Sequence, residues 1–302
     1  MIALLAPGQG SQTEGMLSPW LELPGAADQL ALWSKASRLD LVRLGTTAST
    51  EEITDTAVAQ PLIVAATLLA HQELTRRDLL VGEEFIVAGH SVGEIAAYAI
   101  AGVLAADDAV ALAATRGAEM AKACALEPTG MSAVLGGDEA EVLSRLEELE
   151  LFPANRNAPG QIVAAGPLAA LEKLAGDPPA KARVRALGVA GAFHTKYMAP
   201  ALDGYAAAAA AVDTAEPTAT LLSNRDGKPV ASAAAAMDTL VAQLTQPVRW
   251  DLCTETMRAH EIAAIVEFPP AGTLTGIAKR ELRGVTARAV KSPADLDELA
   301  SL

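Results

Sequence analysis

The chain has 302 residues, which is enough for one large domain or two moderate ones with a sizeable core. Apolar residues make up 51% and charged residues 20%, a balance that excludes an intrinsically disordered chain. The formal net charge of −14 argues against nucleic-acid binding and against docking on an anionic membrane, because both of those partners are negatively charged.

The chain carries only two cysteines, Cys124 and Cys253, which are too few for a disulfide framework or a metal cluster and favour a reducing compartment. The first ten residues lack the basic segment that opens a signal peptide. Apolar stretches such as Ile95–Ala106 fall short of the roughly 20 residues that span a bilayer. We therefore expect a cytoplasmic protein.

Short apolar runs alternate with helical patterns along the first part of the chain. The predicted elements are strands at Ile2–Ala6 and Phe85–Ala88 and helices at Pro61–Leu74, Val92–Ala101 and Asp107–Lys122. Pro61 suits the first turn of its helix, and the aspartates at 107 and 108 can cap the last one. Such alternation predicts an α/β fold with a sheet covered on both faces.

The middle of the chain has a different pattern, which predicts the order β-α-β-β-α-β of a ferredoxin-like unit. The predicted elements are Met131–Gly136, Asp138–Leu149, Leu151–Ala154, Gln161–Ala165, Pro167–Ala175 and Ala182–Val189, with a turn at Asn157–Gly160. We expect residues 126–190 to form a small inserted subdomain. Residues 1–125 and 191–302 would then form a larger α/β body.

The sharpest motif is Gly89-His90-Ser91-Val92-Gly93, a G-x-S-x-G pattern between a predicted strand and a predicted helix. At such a turn the pattern is typical of a nucleophile elbow, in which the serine projects at the helix N-terminus. The backbone N–H of Val92 would there stabilise a developing oxyanion. The alternative is a tight strand-to-helix turn with an incidental serine.

A nucleophilic serine needs a base, and the chain has four histidines. His71 belongs to a helical pattern, His90 should point away from its neighbour Ser91, and His260 lies among charged residues. His194 follows the last strand of the predicted insert, where the chain returns to the body and a cleft is expected. Elimination favours His194 as the base, and no acidic residue stands out as a third member of a triad.

Two further positions have competing interpretations. The loop Pro7–Gln12 lacks the residues of a phosphate-binding loop, so it either donates backbone N–H groups to an oxyanion hole or is an ordinary loop. Arg116 lies among Ala and Leu in a predicted helix. It either binds a carboxylate with its guanidinium fork or lies exposed on the helix face.

Taken together, these motifs resemble those of bacterial malonyl-CoA–acyl carrier protein transacylases over nearly the whole length. The matching segments are PGQGSQ at Pro7–Gln12, Gln60-Pro61, GHSVGE at Gly89–Glu94, NAPGQIV at Asn157–Val163, GAFHT at Gly191–Thr195, SNRDG at Ser223–Gly227, QLTQPVRW at Gln243–Trp250 and LTGIAKR at Leu274–Arg280. The resemblance implies an α/β-hydrolase-like body with a parallel sheet and a ferredoxin-like insert.

The resemblance also implies roles for individual residues. Ser91 would be the acylated nucleophile and His194 the general base, oriented by a carbonyl of Gln243 instead of a carboxylate. The backbone N–H groups of Gln9 and Val92 would form the oxyanion hole. Two side chains would bind the acyl group, with Arg116 holding the malonyl carboxylate and Phe193, like Val92, matching the malonyl type of the related polyketide acyltransferases.

The implied activity is transfer of malonyl from malonyl-CoA to an acyl carrier protein for fatty acid biosynthesis, through a ping-pong mechanism without metal or cofactor. A polyketide pathway, a serine hydrolase of similar architecture and a non-catalytic carrier-binding module remain alternatives. A monomer is expected.

Both implied partners are acidic, so the strongly negative chain needs a local basic surface to receive them. Two groups of basic residues are candidates for docking, although each could equally be a solvated charged face. They are Lys279, Arg280, Arg283, Arg288 and Lys291 near the C-terminus, and Lys181, Arg183 and Arg185 on the predicted last strand of the insert.

Overall fold

The computed structural model describes residues 1–302 and contains two β-sheets surrounded by helices. The strands are β1 (Ile2–Ala6), β2 (Phe85–Gly89), β3 (Thr129–Gly136), β4 (Phe152–Ala158), β5 (Gln161–Pro167), β6 (Ala182–Ala186), β7 (Thr220–Leu221), β8 (Val248–Arg249), β9 (Ala264–Glu267) and β10 (Thr286–Ala289). The helices are α1 (Ala26–Ser37), α2 (Leu41–Thr46), α3 (Thr50–Thr54), α4 (Thr56–Arg76), α5 (Gly93–Ile100), α6 (Ala106–Cys124), α7 (Glu139–Glu148), α8 (Leu168–Gly176), α9 (Leu202–Ala210), α10 (Ala233–Ala242), α11 (Trp250–Ala259) and α12 (Thr273–Glu281). None of the helices is both long and apolar enough to cross a membrane.

The first sheet has the order β10-β9-β1-β2-β7, and all of its pairs are parallel. Every residue of the central strand β1 is buried. Because side chains alternate along a strand, Ile2, Leu4 and Ala6 enter the large core on one face while Ala3 and Leu5 enter a second core on the other. The predicted α/β fold with a parallel sheet covered on both faces is therefore confirmed.

The second sheet has the order β6-β3-β5-β4-β8 and is antiparallel except for the β4–β8 pair. Helices α7 and α8 cover one of its faces, where Ile162 of β5 packs in a small core. The next residue, Val163, points the other way and packs into the large core of the first sheet. Strand β8 lies outside residues 126–190, so the sheet of the predicted insert extends into the rest of the chain.

Three local predictions are wrong. Helix α4 begins at Thr56 and is capped by the Asp55 side chain, so Pro61 lies beyond the first turn. Asp107 does not cap α6, because Ala105 is the cap residue and the Asp107 carboxylate accepts a hydrogen bond from the indole of Trp33 at 2.7 Å. Residues 157 and 158 belong to β4, which confines the turn to Pro159-Gly160.

Candidate active site

Ser91 lies at the turn between β2 and α5 with a φ of 55°, in the left-handed region that side chains rarely adopt. The two flanking glycines make this turn possible. A Cβ at Gly89 would lie 2.0 Å from the carbonyl carbon of Gly93, and a Cβ at Gly93 would lie 2.3 Å from the carbonyl oxygen of Ala6. The turn has the strained form that the motif predicts.

His194 contacts Ser91 directly, although 103 positions separate them in the chain. The Ser91 Oγ and the His194 Nε2 are 2.7 Å apart, and the His194 Nδ1 lies 2.8 Å from the backbone carbonyl oxygen of Gln243. A carbonyl only accepts hydrogen bonds, so Nδ1 carries the proton and Nε2 is left to accept from the serine hydroxyl. The structure thus brings together Ser91, His194 and Gln243.

The His194 imidazole is held in its neutral form. Burial, together with the nearby positive charge of Arg116, lowers its pKa from 6.5 to about 3. A neutral imidazole can accept a proton from serine, whereas a protonated one cannot.

The other three histidines are placed elsewhere. The ring of His90 is hydrogen-bonded to the Asn157 side chain at 2.9 Å and packs on Trp250. His71 packs edge-on against Phe268, and burial lowers its pKa to about 4. His260 is exposed. None of them forms a hydrogen bond with Ser91 Oγ.

Arg116 is only 1% exposed, which removes the alternative of a helix-face arginine in solvent. Its Nη1 donates to the side-chain carbonyl of Gln60 at 2.7 Å, and its Nη2 donates to that of Gln243 at 2.8 Å. Its Nε has no partner, and no carboxylate lies within ion-pairing distance. A buried guanidinium that is held only by neutral amides can still bind an anion.

The sequence did not single out Glu94 and Asn224, although both lie in motifs that it shares with the resembled family. Glu94 is 1% exposed, and its two oxygens accept hydrogen bonds from the Asn224 backbone N–H and the Gln243 side-chain amide. Asn224 in turn accepts from the Ser91 N–H at 2.8 Å and donates to the Gly89 carbonyl at 2.7 Å. Burial raises the pKa of the Glu94 carboxyl to about 8, against the opposing effect of these hydrogen bonds.

Two backbone N–H groups near Ser91 have no acceptor within the protein. They belong to Gln9, in the loop after β1, and to Val92, which precedes the first residue of α5. Both residues line the same cavity as Ser91. Free N–H groups at a helix N-terminus are the usual donors to a developing oxyanion.

One cavity brings together the Ser91–His194 pair, Arg116 and the two residues with free N–H groups, whereas Gln243, Glu94 and Asn224 do not line it. Phe193, 6% exposed, forms part of the wall beside His194. The second sheet contributes side chains as well. The lining residues are Gln9, Gln60, His90, Ser91, Val92, Arg116, Met120, Met131, Asn155, Val163, Leu187, Val189, Phe193 and His194.

Comparison with known proteins places the chain in a family. The acyl transferase domain model matches residues 4–295. The malonyl CoA-acyl carrier protein transacylase of Mycobacterium tuberculosis is 86% identical over 302 residues, which cover 100% of both chains. The Escherichia coli K12 protein of the same name is 34% identical over 299 residues, 96% of each chain.

Solved structures agree with the sequence matches. The crystal structure of MCAT from Mycobacterium tuberculosis superposes with a TM-score of 0.98 at 87% identity over 99% of both chains. A malonyl-transacylase in complex with its type II polyketide acyl-carrier protein superposes with a TM-score of 0.93 at 30% identity, again over 99% of both chains. This chain belongs to the acyl transferase family.

Proposed function

We propose that the chain transfers malonyl from malonyl-CoA to the phosphopantetheine thiol of an acyl carrier protein and so supplies extender units for fatty acid biosynthesis in the cytoplasm. The names of the full-length relatives support this substrate pair. A polyketide pathway is the second candidate, because the similar transacylase solved with its carrier protein serves a type II polyketide synthase.

The observation that carries the proposal is the position of Arg116. Its guanidinium is buried in the same cavity as the Ser91–His194 pair and has no carboxylate partner. A malonyl group differs from an acetyl group by one free carboxylate. That carboxylate would find a charged, bidentate donor here, whereas an acetyl group would leave the arginine unpaired.

In the first half of the reaction, His194 Nε2 takes the Ser91 proton while the serine oxygen attacks the thioester carbonyl. The backbone N–H groups of Gln9 and Val92 would stabilise the tetrahedral oxyanion, each contributing about 2.7–4 kcal/mol. The carbon–sulfur bond then breaks, the CoA thiolate receives the proton from His194, and malonyl remains as an ester on Ser91.

The second half repeats these steps with a different thiol. His194 takes the proton of the phosphopantetheine thiol, and the sulfur attacks the malonyl ester. Collapse of the tetrahedral intermediate returns the proton to Ser91 Oγ and leaves malonyl on the carrier protein. A thioester is exchanged for a thioester, so the reaction needs no metal or redox cofactor.

Three further features belong to this proposal. Residues 126–190 would be a ferredoxin-like subdomain on an α/β-hydrolase-like body formed by 1–125 and 191–302, which the strand order β6-β3-β5-β4 supports. Phe193 would select for the malonyl group from its place in the cavity wall. The enzyme would act as a monomer.

Mass spectrometry of the protein after addition of malonyl-CoA tests the proposal. A long-lived malonyl adduct on Ser91 that is discharged by an acyl carrier protein is the expected result. Rapid release of free malonate without carrier protein would instead identify a serine hydrolase. Parallel assays with fatty-acid and polyketide carrier proteins, compared by kcat/KM, separate the two pathways.

A further inference from the structure

Glu94 has a place in the structure that the proposed mechanism does not use. It lies in the first turn of α5, and it bridges Asn224 and Gln243, which are far from it in sequence. It does not touch Ser91 Oγ or His194 through any hydrogen bond. A buried carboxyl group that has two specific hydrogen-bond partners and lies beside a reactive site is a candidate for a functional role.

The Gln243 side chain can adopt only one orientation in this environment. Its Nε2 donates to Glu94, while its Oε1 accepts from Arg116 Nη2. Turning the amide over would place its oxygen against the Glu94 carboxylate and its NH₂ group against the Arg116 guanidinium. The contact between the two donor groups would be repulsive, and the amide oxygen would also face the Ser91 carbonyl oxygen, which Nε2 now reaches at 3.1 Å.

The same residue also holds the base through its main chain, because the Gln243 carbonyl oxygen accepts from His194 Nδ1. The main-chain contact uses a different atom from the side-chain amide, although the amide Nε2 also lies 3.1 Å from the Ser91 carbonyl oxygen and 3.3 Å from Asn224 Oδ1. Asn224 Oδ1 holds the Ser91 N–H and the Gln243 carbonyl holds His194, so a change at Glu94 acts first on the Gln243 amide and on Arg116.

We infer that Glu94 is a positioning residue that selects malonyl over acetyl: it fixes the Gln243 amide, which in turn holds the Arg116 guanidinium ready for the free carboxylate. This inference rests on the proposed function of Arg116. Glu94 itself touches no substrate. Its effect passes through Gln243 to the binding of one particular acyl group.

The Glu94→Gln substitution separates these contacts. A glutamine has one acceptor oxygen, which would stay with the rigid Asn224 backbone N–H, and its NH₂ group would face the Gln243 NH₂ group. Loss of the Glu94 acceptor from the buried Gln243 amide predicts a fall of about 10- to 100-fold in kcat/KM for malonyl-CoA, mainly through KM. The kcat/KM for acetyl-CoA should stay within about threefold.

Two controls define the test. Labelling of Ser91 by a fluorophosphonate, which has no carboxylate, reports on the Ser91–His194 pair alone and should also stay within about threefold. Glu267→Gln is the matched control, because Glu267 is fully buried and accepts hydrogen bonds from the backbone N–H groups of residues 272, 274 and 275, away from Gln243. Glu267→Gln should lower the melting temperature and leave the ratio of kcat/KM for malonyl-CoA to that for acetyl-CoA unchanged.

Equal losses for malonyl-CoA, acetyl-CoA and the fluorophosphonate would overturn the inference and leave Glu94 a purely structural residue. An unchanged ratio of kcat/KM for malonyl-CoA to that for acetyl-CoA in Glu94→Gln would overturn the inference as well. If Glu94→Gln does not fold, Glu94→Asp serves instead: the shorter carboxylate can hold Asn224 without reaching Gln243, so the same selective loss is expected. Failure of the wild-type enzyme to transfer malonyl at all would refute the proposed function, an outcome distinct from these.

Discussion

The two sheets contribute to the cavity in different ways. The first sheet positions the serine and the two free N–H groups, because the loop after β1 and the turn after β2 carry Gln9, Ser91 and Val92 at the carboxyl ends of neighbouring parallel strands. The second sheet supplies the wall, through side chains such as Met131 and Val163. The first sheet therefore contributes mainly backbone geometry around Ser91, and the second sheet contributes side chains that shape the cavity.

The largest expected effect is at the turn of the first sheet. Ser91→Ala removes the proposed nucleophile and should lower malonyl transfer by about 10³-fold or more. The malonyl adduct on the protein should also be absent from the mass spectrum of this variant. A variant that retained transfer would contradict covalent catalysis and would favour a carrier-binding role without chemistry.

Arg116→Ala should have the next largest effect and should depend on the acyl group. Malonyl transfer is expected to fall by about 10- to 100-fold, while acetyl transfer persists or rises, because the carboxylate loses a charged partner that acetyl never uses. Steady-state kinetics with both CoA esters measures this. Equal loss of both activities would remove Arg116 from carboxylate binding.

Two glycine substitutions compare how strongly the Ser91 turn and the second sheet depend on close packing for the stability of the fold. Gly89→Ala places a Cβ 2.0 Å from the Gly93 carbonyl carbon and should destabilise the fold by about 3 kcal/mol or more. Gly176→Ala, at the end of α8 beside the second sheet, meets no atom within 4 Å and should be near neutral. Urea unfolding of both variants measures the difference, and similar values would contradict the close packing of the turn.

The smallest effects are expected at the two basic surfaces. Lys279→Glu with Arg280→Glu should raise the KM for carrier protein severalfold and weaken its salt dependence, if this exposed pair docks the acidic partner. Arg183→Glu with Arg185→Glu tests the exposed surface of β6 in the same way. Arg280 also donates to the Gln161 side chain at 2.7 Å, so Lys279→Glu alone separates docking from that contact. A KM that no variant changes would leave both surfaces as solvated faces.

Local patterns in the sequence were sufficient to predict the elements that build the site. The apolar run Ile2–Ala6 became the central strand, and the glycines at 89 and 93 predicted the turn that projects Ser91. The ends of helices were less predictable where a side chain distant in sequence binds the expected capping residue. Asp107, for example, is a good cap by type, yet it is bound by Trp33 from another helix.

The sequence by itself determined the fold class, the serine turn and the family, because these depend on residue types at short spacings. Only the tertiary structure decided that Arg116 is buried and that Glu94 contacts the Gln243 amide, whereas the contact between His194 and the Gln243 carbonyl was implied by the family resemblance and is present. Those contacts join residues 49 to 149 positions apart. Neighbouring residues give no sign of them, since the packing of α5, α6 and the segment after α10 brings the groups together.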